Sequence, residues 1–459
     1  MRISVASLHD AVILAPNHHQ DEVIGFAASE LQRYLERMTG AKLPVADDGC
    51  AADGRFTVKL DVAQSDLAHD AFRITVAPGS ILLQAGVPLG VLYAVYALLE
   101  RLGCRWVHPG EAQEIVPKLV AIDLPDGEHI EIPRIEHRGL ALYGLYDETA
   151  ELGAVMIDWM AKNRLNLLLT SWERPDPTNT QTMFWHQVGD RLLPELKRRG
   201  ILLDMSEHST EYFFPRSLFH EHPEWFALND GKRTAYQMCY SNREGVEYFG
   251  RRLAEFAAEH PEIDILGAWP LDGGGYCECE GCQEPDAVFK ATARMGEMVR
   301  AVRPDIVIEH LAYRPQSLSV PSVEIPEWMS VLVCNRTNQL ARDWVKAMEG
   351  KQGAYYFEYK MADQYHWATN VWLRPDYAAE ITRTAMDIGF RGIVPLFLPM
   401  HTWWQSSFNV HVYARTSWDP DIDVEAVLDD YCRAYYGEIA AQVRPLFTAI
   451  LNEMQDPEF

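Results

Sequence analysis

The chain has 459 residues, enough for two or three domains, and with 48% hydrophobic residues, 13 Trp, 20 Tyr and 17 Phe it can bury a large core and still line a cleft with rings. Its 41 basic against 66 acidic residues leave a formal charge of −25, which argues against nucleic acid or an anionic membrane surface as partner, since both need a positive protein face. No stretch approaches the ~18 apolar residues of a membrane span. The opening MRISVASLHDAVILAP places Asp10 inside what would be the apolar core of a signal peptide, so a cytoplasmic protein is expected; a chain trimmed of its leader would look the same. The abrupt end at Asp456-Pro457-Glu458-Phe459 suggests that a C-terminal continuation follows. Nothing in the sequence sets an oligomeric state.

Residues 1–130 read as a small α+β unit. Short strands are expected at 2–6 and 12–15. A helix follows at 21–39, with Val23, Ala27, Leu31, Tyr34, Leu35 and Met38 forming one buried stripe and Gly40 closing it. Strands are expected at 56–60, 72–76 and 81–85, the last two paired around Pro78-Gly79, and a nearly all-apolar helix at 89–102 ends at Gly103. This unit carries no evident chemistry. Pro125-Asp126-Gly127 and Pro133 mark a linker.

From Arg138 the pattern becomes strand, helix, strand, helix. Buried strands are expected at 139–143, 165–170, 201–205, 263–269, 305–310, 329–334, 354–358 and 392–398, with helical stretches between them. Eight such repeats within residues 135–418 predict an α/β fold, a (β/α)8 barrel of the usual ~250-residue size. A doubly wound open sheet would need a Gly-rich phosphate loop after its first strand, and none is present. Residues 419–459 read as a helical C-terminal extension.

In such a barrel the chemistry sits just after the strands, on the C-terminal face. The most informative stretch is IDILGAWPLDGGGYCECEGC (263–282), a buried strand stopped by Pro270, then Asp272 on a triple-glycine turn that lets a ligand approach the main chain. Residues collecting at the other strand ends include Tyr143, Tyr146 and Asp147; Trp172 and Glu173; Glu207 and His208; Tyr276; His310, Tyr313 and Arg314; Asn335 and Arg336; Glu358 and Tyr359; and His401, Trp403 and Trp404. Carboxylates among aromatic rings suit a carbohydrate site. Rings cover the C–H patches of a sugar while two carboxyls divide the work on the glycosidic bond. Asp272 and Glu358 are the expected catalytic carboxylates, with Glu207 in reserve. Tyr143, Trp172, His208, Tyr276, Tyr313, Trp403 and Trp404 would shape sugar subsites, and Arg314 could clamp a substrate carboxylate. Each has a structural alternative: turn capping for Asp272, an ion pair for Glu358, helix capping for Glu207 and His208, packing for the tryptophans. Glu309, inside its strand, is expected to face outward or pair locally.

The chemistry needs no cofactor. Cys277, Cys279 and Cys282, with Cys239 from the preceding loop, offer the four thiolates of a closed structural zinc site whose role would be to stiffen the Asp272 loop.

These segments resemble known families. ELQRYLERMTGAKLPV (30–45) and GVPLGVLYAVYALLERLGCRWVHPG (86–110) look like the accessory domain that precedes the barrel in glycoside hydrolase family 20 hexosaminidases and family 67 α-glucuronidases. DWMAKNRLNLL (158–168), HPEWFALNDGKR (222–233) and DGGGYCECEGC (272–282) are similar to the bacterial glycosidase-like barrels called domain of unknown function 4838, some of which are assigned to family 163 endo-β-N-acetylglucosaminidases. Together the resemblances cover nearly the whole chain. The hexosaminidase likeness implies retention, with acetamido assistance possible; the glucuronidase likeness implies inversion. Family 20 enzymes carry an adjacent Asp-Glu pair after strand four. Here Asp272 is followed by glycines, so the acid is expected elsewhere, with Glu358 the candidate. The expectation is an O-glycosyl hydrolase acting on oligosaccharides that contain N-acetylhexosamine or uronic acid. A non-catalytic sugar-binding barrel and a uronic-acid lyase or isomerase remain as rivals.

Overall fold

The structure, a computed structural model, describes residues 1–459 except 48–54, 64–66, 143–149, 171–187, 209, 335–337, 360, 362–373, 398–402 and 455–459; the side chains of 211, 397, 403–406 and 452–454 are likewise outside the description.

The N-terminal unit is a six-stranded sheet in the order Val45–Ala46, Val12–Leu14, Thr57–Val62, Ser80–Ala85, Phe72–Ala77, Gly127–Glu131, parallel through its first four strands and antiparallel beyond. The helices Glu22–Thr39 and Pro88–Arg101 pack with it. The first is capped by the Asp21 carboxylate, which accepts from the Val23 and Ile24 amides at 2.9 and 3.0 Å, and it ends at Gly40 with φ +78°. The second reads apolar all round because it is buried on nearly every side, with Val91 through Leu99 at most 2% exposed.

Eight parallel strands close a barrel: His137–Leu142, Leu167–Thr170, Leu202–Glu207, Ile265–Ala268, Val307–Ala312, Met329–Val333, Ala354–Glu358 and Gly392–Phe397, the last pairing back onto the first. Helices Ala150–Lys162, Asp190–Lys197, Arg243–Glu259, Ala287–Val302, Asn338–Ala347, Pro375–Ile388 and Trp403–Trp418 lie between and after the strands, while the fifth strand is followed by the single turn Pro315–Leu318. Two further helices, Val424–Tyr436 and Ala440–Met454, form a C-terminal helical region. The sequence reading missed several elements: the expected strand 2–6 is a strand only over Arg2–Ser4 and turns into the helix Val5–Leu8, the edge strands Val45–Ala46 and Gly127–Glu131 were not expected, the latter lying where a linker was read, and the antiparallel hairpin Phe226–Asn229/Lys232–Met238 is inserted between the third strand and its helix. No helix among the described residues is long and apolar enough to cross a membrane.

The N-terminal domain is fastened to the N-terminal side of the barrel by buried charge. Arg138, fully buried in the first strand, pairs with Asp70 of the N-terminal domain and donates to the carbonyls of Ile135, Glu136 and Arg164. Lys162 meets Glu114 at 2.6 Å, and Arg164 meets Glu100 and Glu131 at 2.6 and 2.9 Å. Conserving strand direction, all of these lie at or before strand beginnings, the face of a barrel that serves stability.

Side chains alternate in and out along each strand. Leu169, Ile265, Trp269, Leu311, Leu332, Tyr355, Phe357, Val394 and Leu396 fill the interior as one apolar cluster, and the alternate residues pack against the helices. Two carboxyls share that interior. Asp204 is 1% exposed and accepts a hydrogen bond from Ser206; Glu309 is also 1% exposed, and neither of its oxygens has a described hydrogen-bond partner. Glu309 was expected to face outward, but its register between Val307 and Leu311 turns it inward, opposite Gly267 and Ser330. Burial pushes the Asp204 carboxyl up to about 7 against the help of Ser206; burial and then the charge of Asp204 push Glu309 well above the carboxylate range.

Glu358 has the opposite register. It follows Ala354 and Tyr356 on the outward row, is 0% exposed, and accepts from the Tyr377 hydroxyl of helix Pro375–Ile388 at 2.6 Å and from the Met361 amide at 2.7 Å.

Two outcomes follow from these registers. An Asp204 carboxyl raised from 3.8 to about 7 keeps its proton in the native state where the unfolded chain has lost it, so stability falls as pH rises from about 4 to about 7 and levels off above. Asp204→Asn should flatten this fall in melting temperature measured across that range, and an unchanged slope would refute the assignment. Tyr377→Phe takes a donor from the sealed Glu358 carboxyl and should cost ~1–3 kcal/mol in denaturant unfolding; full stability would show that the bond contributes nothing.

Candidate active site

At the C-terminal mouth the fourth strand ends at Ala268, and Trp269 and Pro270 carry the chain to Leu271 and Asp272. Gly273 and Gly275 then take φ +95° and +78°, a turn that other residues enter only with strain. Asp272 Oδ1 accepts from the Gly273 amide at 2.7 Å and from Arg314 Nη2 at 3.1 Å. Its side chain remains 55% exposed. Partial burial works against its charge, but Arg314, the Gly273 amide and the nearby His208 ring together hold the carboxyl below the usual range. It stands ionised at the mouth.

Four other expected residues join it. Arg314, which follows the fifth strand, lies with its guanidinium 4.3 Å from the centre of the Tyr313 ring and keeps Nε without a described partner. His208, which follows the third strand, donates through Nδ1 to the Pro270 carbonyl, sets its ring edge-on to Trp269 at 5.5 Å and lies 6.2 Å from Tyr313. Tyr276, half-buried, lies near enough to Asp272, Tyr313 and Arg314 to feel their charges, and its ring stacks 6.4 Å from Tyr240. Asp272, His208, Tyr276, Tyr313 and Arg314 thus form one cluster drawn from three strand ends.

The other expected residues are not in it. Glu358 lies behind the barrel wall, because the same alternation that makes its strand aromatic inside puts position 358 outside. Glu207 falls on the outward row with Leu203 and Met205, half-buried at the end of its strand. His310 also points outward, its Nε2 at 2.9 Å from the Ser317 carbonyl, and burial lowers its pKa to about 4. Tyr143, Tyr146, Asp147, Trp172, Glu173, Asn335, Arg336 and His401 lie outside the described residues. Trp403 and Trp404 begin the last barrel helix, with their side chains outside the description. Asp204 and Glu309 are the acidic residues that sequence reasoning missed; their signal was the register of each strand, since both fall in step with the interior apolar positions.

The Asp272 loop is laced to the inserted hairpin. Tyr236 donates to the Asp272 carbonyl at 2.8 Å, Gln237 to the Leu271 carbonyl at 2.7 Å and Asn229 to the Tyr276 carbonyl at 2.8 Å. Beyond them Cys239, Cys277, Cys279 and Cys282 bring their sulfurs within 4.8 Å of one another. A separate cleft, lined by Glu100, Arg105, Arg164, Arg415 and Asp430, lies between the N-terminal domain and the beginnings of the strands. Its charges pair among themselves, as in Arg415–Glu100 at 2.5 Å and Arg105–Asp430 at 2.7 Å, and it is remote from the mouth.

Comparison with known proteins agrees with this architecture. The whole chain overlays on glycoside hydrolases of low identity, which establishes the fold alone. BtGH115A, a family GH115 4-O-methyl-α-glucuronidase with specificity for decorated arabinogalactans, has a TM-score of 0.70 at 13% identity, covering 96% of this chain and 61% of its own. The Clostridium perfringens enzyme CpGH89, solved with GlcNAc-α-1,4-galactose, has a TM-score of 0.63 at 13% identity, covering 98% and 54%. The GH20 β-N-acetylhexosaminidase of Streptomyces coelicolor A3(2) has a TM-score of 0.60 at 16% identity, covering 96% and 93%. The chain therefore spans about three-fifths of the first of these and little more than half of the second. No curated protein matches the sequence. Residues 108–373, more than half of the chain and including the Asp272 loop and the four cysteines, match the family described as Domain of unknown function (DUF4838), and the chain belongs to that family.

Proposed function

We propose that this protein is a glycoside hydrolase acting on oligosaccharides that contain N-acetylhexosamine or uronic acid, with Asp272 as one of its catalytic carboxylates. The observation that carries this reading is the single cluster of Asp272, His208, Tyr276, Tyr313 and Arg314 at the mouth of a glycosidase-like barrel. Tyr313 and Tyr276 offer ring faces to a sugar, and His208 and Arg314 offer polar edges to its substituents. Asp272, held ionised by Arg314 and a backbone amide, suits the role that begins without a proton: attacking the anomeric carbon, activating water, or orienting an acetamido group.

The general acid must then come from another strand end. Glu358 and Glu207 sit on outward rows, so their role in this reading is to position the segments that follow their strands. Asp147 and Glu173, which follow the first two strands in the sequence, are proposed as carboxyls for this proton.

Arg314 tilts the substrate toward an acidic sugar. Its Nη2 holds Asp272 while the side chain stays 38% exposed at the mouth, and an exposed guanidinium suits the carboxylate of such a sugar. A non-catalytic sugar binder would keep the rings but would not need Asp272 charged.

A panel of aryl glycosides (β-GlcNAc, α-glucuronide, β-galactoside, α-rhamnoside) tests this. Hydrolysis of at least one is expected. On that substrate Asp272→Asn should lower turnover by ~10²–10⁴-fold with the melting temperature unchanged, because Asp272 is largely exposed. Binding without turnover by the native chain would favour the binder, and an active Asp272→Asn variant would remove this residue from the mechanism.

A further inference from the structure

The geometry points to a zinc ion held by the thiolates of Cys239, Cys277, Cys279 and Cys282, which clasps the Asp272 loop to the inserted hairpin. Cys239 lies one residue beyond the hairpin strand Lys232–Met238, whereas the other three sulfurs lie on the loop that follows Asp272. Cys239 Sγ is 3.6 Å from Cys277 Sγ, 3.6 Å from Cys279 Sγ and 3.7 Å from Cys282 Sγ. A Zn–S bond of ~2.3 Å in a regular tetrahedron requires sulfurs ~3.8 Å apart. A disulfide would need one pair at ~2.05 Å and would leave two sulfurs aside. Four sulfurs from two segments instead surround one point.

Their surroundings favour thiolates. The Leu228 amide points at Cys277 Sγ at 3.3 Å and the Ser241 amide at Cys282 Sγ at 3.3 Å, with Arg233 Nη1 3.8 Å from Cys277 Sγ. Amide N–H groups aimed at sulfur are the outer hydrogen bonds expected around a metal-bound thiolate. Four thiolates this close repel strongly unless a cation sits among them, and Arg233 supplies one positive charge at the edge. The space around the sulfurs is also tight: a Cβ added at Gly281 would meet Ser241 Oγ at 2.7 Å, so this turn of the ligand loop is packed against the residue that follows Cys239 by two. With all four positions taken by sulfur the metal would have no open site, and its work is structural. It holds Cys277, five residues after Asp272, against the hairpin that also bonds the carbonyls of Leu271, Asp272 and Tyr276.

The assignment stands whether or not the protein hydrolyses sugars, because its readout is the metal. Protein purified without chelator should contain one zinc per chain by plasma mass spectrometry, and cobalt exchange should give the near-ultraviolet thiolate-to-metal band of a tetrahedral tetrathiolate. Cys279→Ser, at a half-exposed ligand position, should release the zinc and raise hydrogen exchange over residues 271–283, while Cys432→Ser, on the C-terminal helix Val424–Tyr436, should keep it. Metal-free protein that takes up neither zinc nor cobalt, iron in place of zinc, or a disulfide among these cysteines by intact mass would overturn the proposal. If Cys279→Ser fails to fold, cobalt spectra of the native chain still decide it. Turnover lost on zinc removal and restored by zinc would support the clasp's hold on the Asp272 loop; turnover lacking in the zinc-loaded native chain would count against the hydrolase reading and leave the metal site standing.

Discussion

The rule on which this molecule turns is the two-residue alternation of a closed barrel. Once eight strands are joined in a ring, each side chain faces either the packed interior or the helix layer, and a shift of one position exchanges the two. Asp204 and Glu309 fall in step with Ile265, Leu311 and Leu332 and are sealed inside; Glu358, in step with Tyr356, is sealed outside. Only beyond the strand ends, where pleating stops and turns re-aim the chain, can a carboxyl be both near the axis and wet. Asp272 meets that condition, four residues past the last residue of its strand and on a turn that glycine makes available.

A mouth assembled from separate strand ends is only as well positioned as the barrel beneath it. Here the lower side of the ring is anchored by Arg138, which bonds three carbonyls and the Asp70 carboxylate from a fully buried position. A buried guanidinium of this kind contributes little net stability against an apolar replacement, yet removing one partner is costly. Its consequence is orientation: the N-terminal domain cannot rock without breaking these buried hydrogen bonds. Its helix Pro88–Arg101 and ion pairs act as a foundation for the first two strands and the helix Trp403–Trp418.

Much of this was legible in the sequence because the signals were periodic. The eight apolar runs separated by helical stretches gave the barrel and the order of its strands, and the apolar stripe ending at Gly40 gave the first helix to within one residue. The Asp272 loop stood out because proline, three glycines and three cysteines follow one another. The register of short apolar runs was harder to read. A strand such as 354–358 is apolar on both faces, so nothing local tells which way Glu358 points; that is decided by pairing to neighbours, a long-range fact. Glu309 was misjudged for the same reason. The hairpin Phe226–Asn229/Lys232–Met238 was hidden because its polar outer positions and the turn at Asp230-Gly231 read as loop, and its partner is the distant Asp272 segment rather than anything adjacent.

Carboxyls at two depths of the same barrel show how environment divides their roles. Asp204, walled by apolar side chains with a hydroxyl as its donor and Glu309 as its neighbour, holds its proton up to about pH 7. Asp272, with an arginine, an amide and an imidazole around it, loses its proton well below that. A glycosidic bond is cut by one group of each kind, an acid that keeps its proton at neutral pH and a carboxylate that has given it up. In the proposed hydrolase Asp272 is a carboxylate of the second kind. The first requires a carboxyl shielded as Asp204 is but reachable as Asp272 is, and a barrel offers that combination only at strand ends roofed by loops.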